Sequence, residues 1–182
     1  MKKVDITTKS KRPTLHASYK VIDDFIPPDK FDTLHDLLIK QQVQGKQIPW
    51  YYIPNVTNRG NKDWRLFYLS HIVYDRTIIS PFFDDIISCC EPLNFKALIR
   101  IKCNMYPNTE KLYEHGLHTD YKFSHNAGIL SINTCDGYTK LEDGTKIDSV
   151  ANRMLLFDGQ TLHTSSNTTD QTARININFN YF

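Results

Sequence analysis

The chain has 182 residues, 40% hydrophobic and 23% charged, a globular balance that excludes overall disorder and leaves enough length for one well-buried core. Its formal net charge of +2, with histidines neutral, is too close to balance to argue for nucleic acid or membrane from bulk charge. No apolar stretch approaches the ~20 residues that span a bilayer and no N-terminal segment reads as a secretory signal, so the expectation is a cytoplasmic protein without a membrane partner.

Residues 1–18 carry Lys2, Lys3, Lys9, Lys11 and Arg12 without hydrophobic periodicity and read as a basic flexible tail. A solvated terminus is the plain reading. A phosphate-contacting arm, and with it a nucleic-acid partner, is the sharper one. Residues 19–182 then read as a single domain. Tyr19 to Ile26 is strand-like and closed by Pro27-Pro28, and Phe31, Leu34, Leu37, Leu38 and Gln41 follow at helical spacing, predicting a helix packed on the outside of a sheet. From Gly45 to Asn61 the chain turns to prolines, asparagines and aromatics, an aromatic loop with one short strand that either covers core edges or lines a groove.

Trp64 to Leu69 is strand-like, and Ile78 to Cys90, with Pro81 in its first turn, predicts a second amphipathic helix. Cys89 and Cys90 fall within it as packing residues, and the four cysteines show no CxxC spacing. Ala97 to Tyr106 alternates, with Ile99, Ile101, Cys103 and Met105 on one face and Arg100, Lys102, Asn104 and Tyr106 on the other. Gly128–Asn133, Tyr138–Leu141, Met154–Phe157 and Arg174–Tyr181 follow as short strands separated by Asp-Gly turns, the pattern of an antiparallel sandwich or barrel. In the last strand Arg174, Asn176, Asn178 and Asn180 alternate with Ile175, Ile177, Phe179 and Tyr181. Its polar face is either solvent-exposed or the lining of a wet pocket.

His118 and Asp120 lie two apart on an extended segment and project to the same side, where they can chelate one ion together. His163, delivered by the Met154–Gly159 strand and turn, is the candidate third ligand. Two imidazoles and one carboxylate suit Fe(II) with positions left open, although zinc, manganese or cobalt would accept the same donors. Arg174, eleven residues beyond His163, is suited to gripping a carboxylate with two parallel hydrogen bonds. His115, three residues before His118 in a loop, and His125, which lacks a partner at suitable spacing, stay outside the expected ligand set. Asp158 begins a turn or orients His163.

In this order of His118, Asp120, His163 and Arg174 the chain resembles the Fe(II)/2-oxoglutarate-dependent oxygenases, in particular the prolyl 4-hydroxylase-like branch. The resemblance covers about Leu98 to Phe182. It implies a mainly β fold with flanking helices around a double-stranded β-helix, or jelly-roll, spanning about residues 97–182. It implies that Fe(II) is held by His118, Asp120 and His163, that 2-oxoglutarate binds the metal with its distal carboxylate on Arg174, and that O2 drives decarboxylation to succinate and CO2, with ascorbate as a reductant. Tyr106-Pro107 and Tyr113 resemble the paired tyrosines that precede the His-x-Asp pair in prolyl hydroxylases, with Tyr106 as the cosubstrate contact, and Asn133 would line the same pocket. The implied activity is hydroxylation of an organic substrate, a prolyl residue of a peptide or protein among them. The alternatives are a small-molecule or nucleic-acid oxygenase of the same superfamily and a non-catalytic, cupin-like metal-binding module.

Overall fold

The computed structural model describes residues 18–40, 47–54 and 64–182. The basic tail through residue 17 and much of the aromatic loop lie outside the described residues. Among the described residues, ten strands form two antiparallel sheets. They are β1 (Tyr19–Ile22), β2 (Tyr51–Ile53), β3 (Tyr68–Asp75), β4 (Leu98–Pro107), β5 (Asn126–Ser131), β6 (Tyr138–Leu141), β7 (Lys146–Asp148), β8 (Met154–Asp158), β9 (His163–Ser165) and β10 (Ala173–Tyr181). The larger sheet runs β1-β8-β5-β10-β4-β3-β2 and the smaller β7-β6-β9.

The central pair, β10 with β4, explains how the two faces divide. Its register sets Arg174 against Tyr106, Asn176 against Asn104, Asn178 against Lys102 and Asn180 against Arg100, so every polar side chain of both strands lies on one face. Ile101, Cys103, Ile175, Ile177 and Phe179 occupy the other, where they join Leu34, Leu37, Leu38, Phe82 and Ile86 in the main core. The helices α1 (Pro28–His35, continued by a wider turn to Lys40) and α2 (Phe83–Ile87) therefore cover the outside of the large sheet. Between the sheets a second cluster of Ala127, Ile129, Leu141, Ile147, Leu155 and Phe157 closes one side of the interior and leaves the polar side open as a cavity. Asn176, Asn178 and Asn180 are buried, which settles that the polar face of β10 is not solvent-exposed.

Several elements depart from the sequence pattern. Asp24, at φ 50°, bends the first strand away after Ile22, and the Asn152 amide then holds both the N–H and the C=O of Ile26 at 3.1 and 2.7 Å. The strand expected from Trp64 starts at Tyr68, after a single tight turn over Trp64–Leu66, and runs on to Asp75. The second helix begins at Phe83 rather than Ile78. There the N–H groups of Ile79 and Ser80 are spent on Val73 O of β3, and Ser80 Oγ accepts the Phe82 N–H at 3.1 Å, turning the chain before a helix can start. No helix among the described residues is long and apolar enough to cross a membrane.

Candidate active site

His118, on the loop between β4 and β5, is tied to His163 at the start of β9 by reciprocal backbone hydrogen bonds of 3.0 and 2.9 Å. That bridge sets the two imidazoles side by side, with centroids 4.6 Å apart. Each Nδ1 faces a carbonyl, Gly116 O at 3.0 Å for His118 and Thr161 O at 3.1 Å for His163. A carbonyl only accepts, so Nδ1 carries the proton and Nε2 keeps its lone pair free for a metal. Ligand atoms of His118, Asp120 and His163 lie within 4.8 Å of one another, the one such group among the described residues.

Asp120 is oriented by three side chains from the polar face of the β10–β4 pair. Its Oδ1 pairs with the Arg100 guanidinium at 2.8 Å, and its Oδ2 accepts from Asn178 and Asn180, each at 3.0 Å. Burial alone would raise this carboxyl, but Arg100, His163 and Lys102 outweigh it and hold the group well below the usual carboxylate range. Burial also pushes His163 down to about 4 and lowers His118, so both rings are neutral at physiological pH. A carboxylate that stays ionised and two neutral imidazoles are the protonation states that metal ligation requires, and the donor set fits a divalent metal of the Fe(II) type.

Asn180 is itself braced. His125 Nδ1 donates to Phe123 O at 2.8 Å, which leaves Nε2 to accept the Asn180 amide at 3.2 Å. A Cβ on Gly159 would lie 2.2 Å from the His125 ring, so Gly159 is the residue that makes room for it. Gly159→Ala is expected to displace His125, loosen Asn180 and Asp120, and destabilise the fold by roughly 2–4 kcal/mol, measurable as a fall in thermal midpoint. The four supporting residues Arg100, His125, Asn178 and Asn180 were not assigned a task by sequence. The alternation of β4 and β10 was the available signal for three of them.

Arg174 is 1% exposed. Its Nε donates to Ser149 Oγ at 3.3 Å, one terminal nitrogen to Ser166 O at 3.1 Å and the other to Thr139 Oγ1 at 2.9 Å. Its guanidinium carbon lies 5.5 Å from the Tyr106 ring centroid. No carboxylate pairs with it among the described residues, and a buried guanidinium without an anion is a costly arrangement. Arg174 sits behind Thr139 and Tyr106, which line a cavity of about 770 Å³ together with His118, Asp120 and His163.

Tyr113 is not on this wall, and its hydroxyl accepts from Arg65 at 3.1 Å. Asn133, expected in the pocket, does not line it either. Its amide donates to Ala173 O at 2.8 Å and accepts the Ile175 N–H at 2.9 Å, so both ends are spent on the β10 backbone on either side of Arg174. Asp158 serves a turn, with its Oδ1 on Gln160 N at 2.9 Å and its carbonyl on Thr161 N at 2.8 Å. His115 stays outside the ligand group, donating from Nδ1 to Ser165 O at 2.8 Å, and burial pushes it down to about 4.

His115 and His163 carry a pH prediction. Both have folded pKa values of about 4, below the unfolded value of 6.5, so the unfolded chain binds more protons between those limits. Their contribution is present above about pH 6.5 and is lost as pH falls towards 4, on the order of 3 kcal/mol per ring. Urea unfolding of the metal-free protein across that window is expected to show the decline.

Scans of protein-family models and of curated protein sequences find no match to this chain. Solved structures do match. A 2-oxoglutarate/Fe(II) oxygenase-family oxidoreductase from Burkholderia pseudomallei superposes with a TM-score of 0.65 at 8% identity, covering 90% of this chain and 84% of that one. A prolyl hydroxylase from Trichoplax adhaerens, in complex with a hypoxia-inducible-factor peptide fragment, matches with a TM-score of 0.59 at 15% identity, covering 92% and 84%. A viral collagen prolyl hydroxylase from Paramecium bursaria Chlorella virus-1, complexed with 2-oxoglutarate, matches with a TM-score of 0.58 at 14% identity, covering 89% and 94%. With its two antiparallel sheets and the His118, Asp120 and His163 cluster between them, the chain has the jelly-roll fold of the 2-oxoglutarate/Fe(II) oxygenases, the prolyl hydroxylases included.

Proposed function

We propose that the protein is an Fe(II)- and 2-oxoglutarate-dependent dioxygenase that hydroxylates an organic substrate while 2-oxoglutarate is decarboxylated to succinate and CO2. The observation that carries this reading is the convergence of His118, Asp120 and His163 within 4.8 Å at a cavity whose wall is backed by an anion-free, buried Arg174. His118 and His163 would hold the metal through Nε2 and Asp120 through a carboxylate oxygen. Fe(II), when bound with 2-oxoglutarate and O2, supplies the oxidising power for hydroxylation.

The rest is done by the chain. Arg100, Asn178 and Asn180 keep Asp120 ionised and aimed, and the carbonyls of Gly116 and Thr161 fix the tautomers of the two imidazoles. Arg174, with Thr139 and Tyr106 in front of it, would meet the distal carboxylate of 2-oxoglutarate. A structural metal site would have no use for a buried guanidinium left without an anion beside it, which argues against a non-catalytic module. Prolyl residues of a peptide are one substrate reading, supported by the fold shared with prolyl hydroxylases, one of them in complex with a peptide.

Incubation with Fe(II), 2-oxoglutarate, O2 and ascorbate tests the proposal. The expected result is succinate formed with matching O2 consumption, slow without substrate and faster with it. Metal binding without succinate formation, with or without a substrate panel, would leave a metal-binding module in its place.

A further inference from the structure

The cavity beside the three candidate ligands holds two cations, the half-buried Lys102 and the exposed Lys122, that neither pair with the metal carboxylate nor serve as the expected cosubstrate anchor. Arg100, Lys102 and Lys122 line it against a single carboxylate, Asp120. Arg100 is committed to that carboxylate at 2.8 Å. Lys102 is not. Among the described residues its ammonium has no hydrogen-bonding partner and no carboxylate at ion-pair distance; its contact is the face of the Tyr68 ring, 5.5 Å from Nζ. Burial pushes the ammonium down to about 8, and the neighbouring Arg100 adds to the shift. A half-buried cation beside Arg100, with Asp120 as its one anionic neighbour in the cavity, is favoured by a further anion.

Its place along the strand separates Lys102 from the expected cosubstrate anchor. Lys102 stands opposite Asn178, which holds Asp120, whereas Arg174 stands opposite Tyr106 at the far end of the same register. Four residue steps of strand, from Lys102 to Tyr106, separate the two positions, roughly 13 Å of backbone at ~3.3 Å per step. With one carboxylate of 2-oxoglutarate at the metal and the other at Arg174, Lys102 is left for a different ligand. Leu162 and Ile129 supply apolar wall in the same cavity.

We propose that Lys102 receives an oxyanion, a carboxylate or a phosphate, of the primary substrate, so that the enzyme acts on an anionic organic molecule whose aliphatic part meets Leu162 and Ile129. This rests on the oxygenase reading above. A lysine ammonium is a compact point charge that serves either oxyanion, and Lys102 then selects charged substrates over their neutral analogues.

The test uses the full chain, 15N-labelled and loaded with Zn(II) and 2-oxoglutarate, titrated separately with acetate, inorganic phosphate and acetamide while the amide signals of Ile101, Lys102 and Cys103 are followed. Acetate or phosphate is expected to give a saturable shift and acetamide none. A response to acetate alone assigns a carboxylate substrate, and one to phosphate alone a phosphorylated substrate. Lys102→Met, which keeps the apolar stem over Tyr68, is expected to weaken anion binding about tenfold or more and to leave 2-oxoglutarate affinity within about twofold. Lys102→Arg should restore the anion response, and Lys102→Gln replaces the methionine variant if that does not fold. The proposal is overturned if neither anion gives a saturable shift, if the shift persists in the variant without the cation, or if that variant loses 2-oxoglutarate instead. Failure of the oxygenase reading looks different, because the amides of His118 and His163 would then be indifferent to Zn(II) and 2-oxoglutarate.

Discussion

His163→Ala is expected to lower Fe(II) affinity by about a hundredfold or more and to abolish succinate formation. The substitution removes one of three donors that lie within 4.8 Å of one another, and no other histidine of the described residues is placed to substitute. His115 has turned its Nδ1 to Ser165 O, and the His125 ring is bound between Phe123 O and the Asn180 amide. The fold should survive, because what ties His163 to His118 is backbone, two hydrogen bonds that alanine keeps. The lost packing against Phe157, with ring centroids 5.0 Å apart, is the structural cost. Metal titration and circular dichroism on the same sample separate the two effects: a folded variant that still retains Fe(II) would remove His163 from the ligand set.

Arg174→Lys is the second large effect and the more discriminating one. The charge is kept while the fork that reaches Ser149, Ser166 and Thr139 is lost. Affinity for 2-oxoglutarate is expected to fall about a hundredfold, close to 2.7 kcal/mol, with Fe(II) affinity unchanged within about twofold. Some global stability goes as well, roughly 1–3 kcal/mol, because the partners of the guanidinium are buried and left unpaired. The site is shaped for arginine: a Cβ at Gly137 would lie 2.6 Å from Arg174 Cδ and 2.5 Å from Asn167 O. Isothermal titration of 2-oxoglutarate into the metal-loaded variant reads the result, and an unchanged dissociation constant would remove Arg174 from cosubstrate binding.

What was legible in the sequence follows physical rules of unequal reach. The alternation of β4 and β10 made both strands and their two faces readable, because one face of each had to be apolar to pack under the helices. The same alternation did not say where the polar face looks, since that depends on the small sheet lying opposite, whose strands β7 and β9 have three residues each and no recognisable period. Ile78 and Ile79 suggested a helix by hydrophobicity, yet they are exposed and the turn is decided by Ser80 and the β3 carbonyl of Val73. His118, Asp120 and His163 stood out by residue type and spacing, and the structure brings their donor atoms together.

The partners of those residues were not legible. The alternation of β4 puts Arg100 on the polar face, but its pairing with Asp120 at 2.8 Å depends on where the loop carrying Asp120 lies, which has no local signature. Asn133 illustrates the opposite error. Its position before a turn was compatible with a pocket residue, but the amide had unpaired β10 backbone within reach on both its donor and acceptor sides. Backbone pairing took precedence.

In the proposed 2-oxoglutarate site one metal, held by His118, Asp120 and His163, acts together with one guanidinium, Arg174. Calorimetric titration of 2-oxoglutarate into the full chain under anaerobic conditions, with and without Fe(II), tests it most directly. One molecule is expected to bind per chain in the presence of Fe(II), with binding weaker by about a hundredfold or more in its absence. Equal affinity in both samples, or an Fe(II)-loaded protein that does not bind 2-oxoglutarate at all, would contradict it.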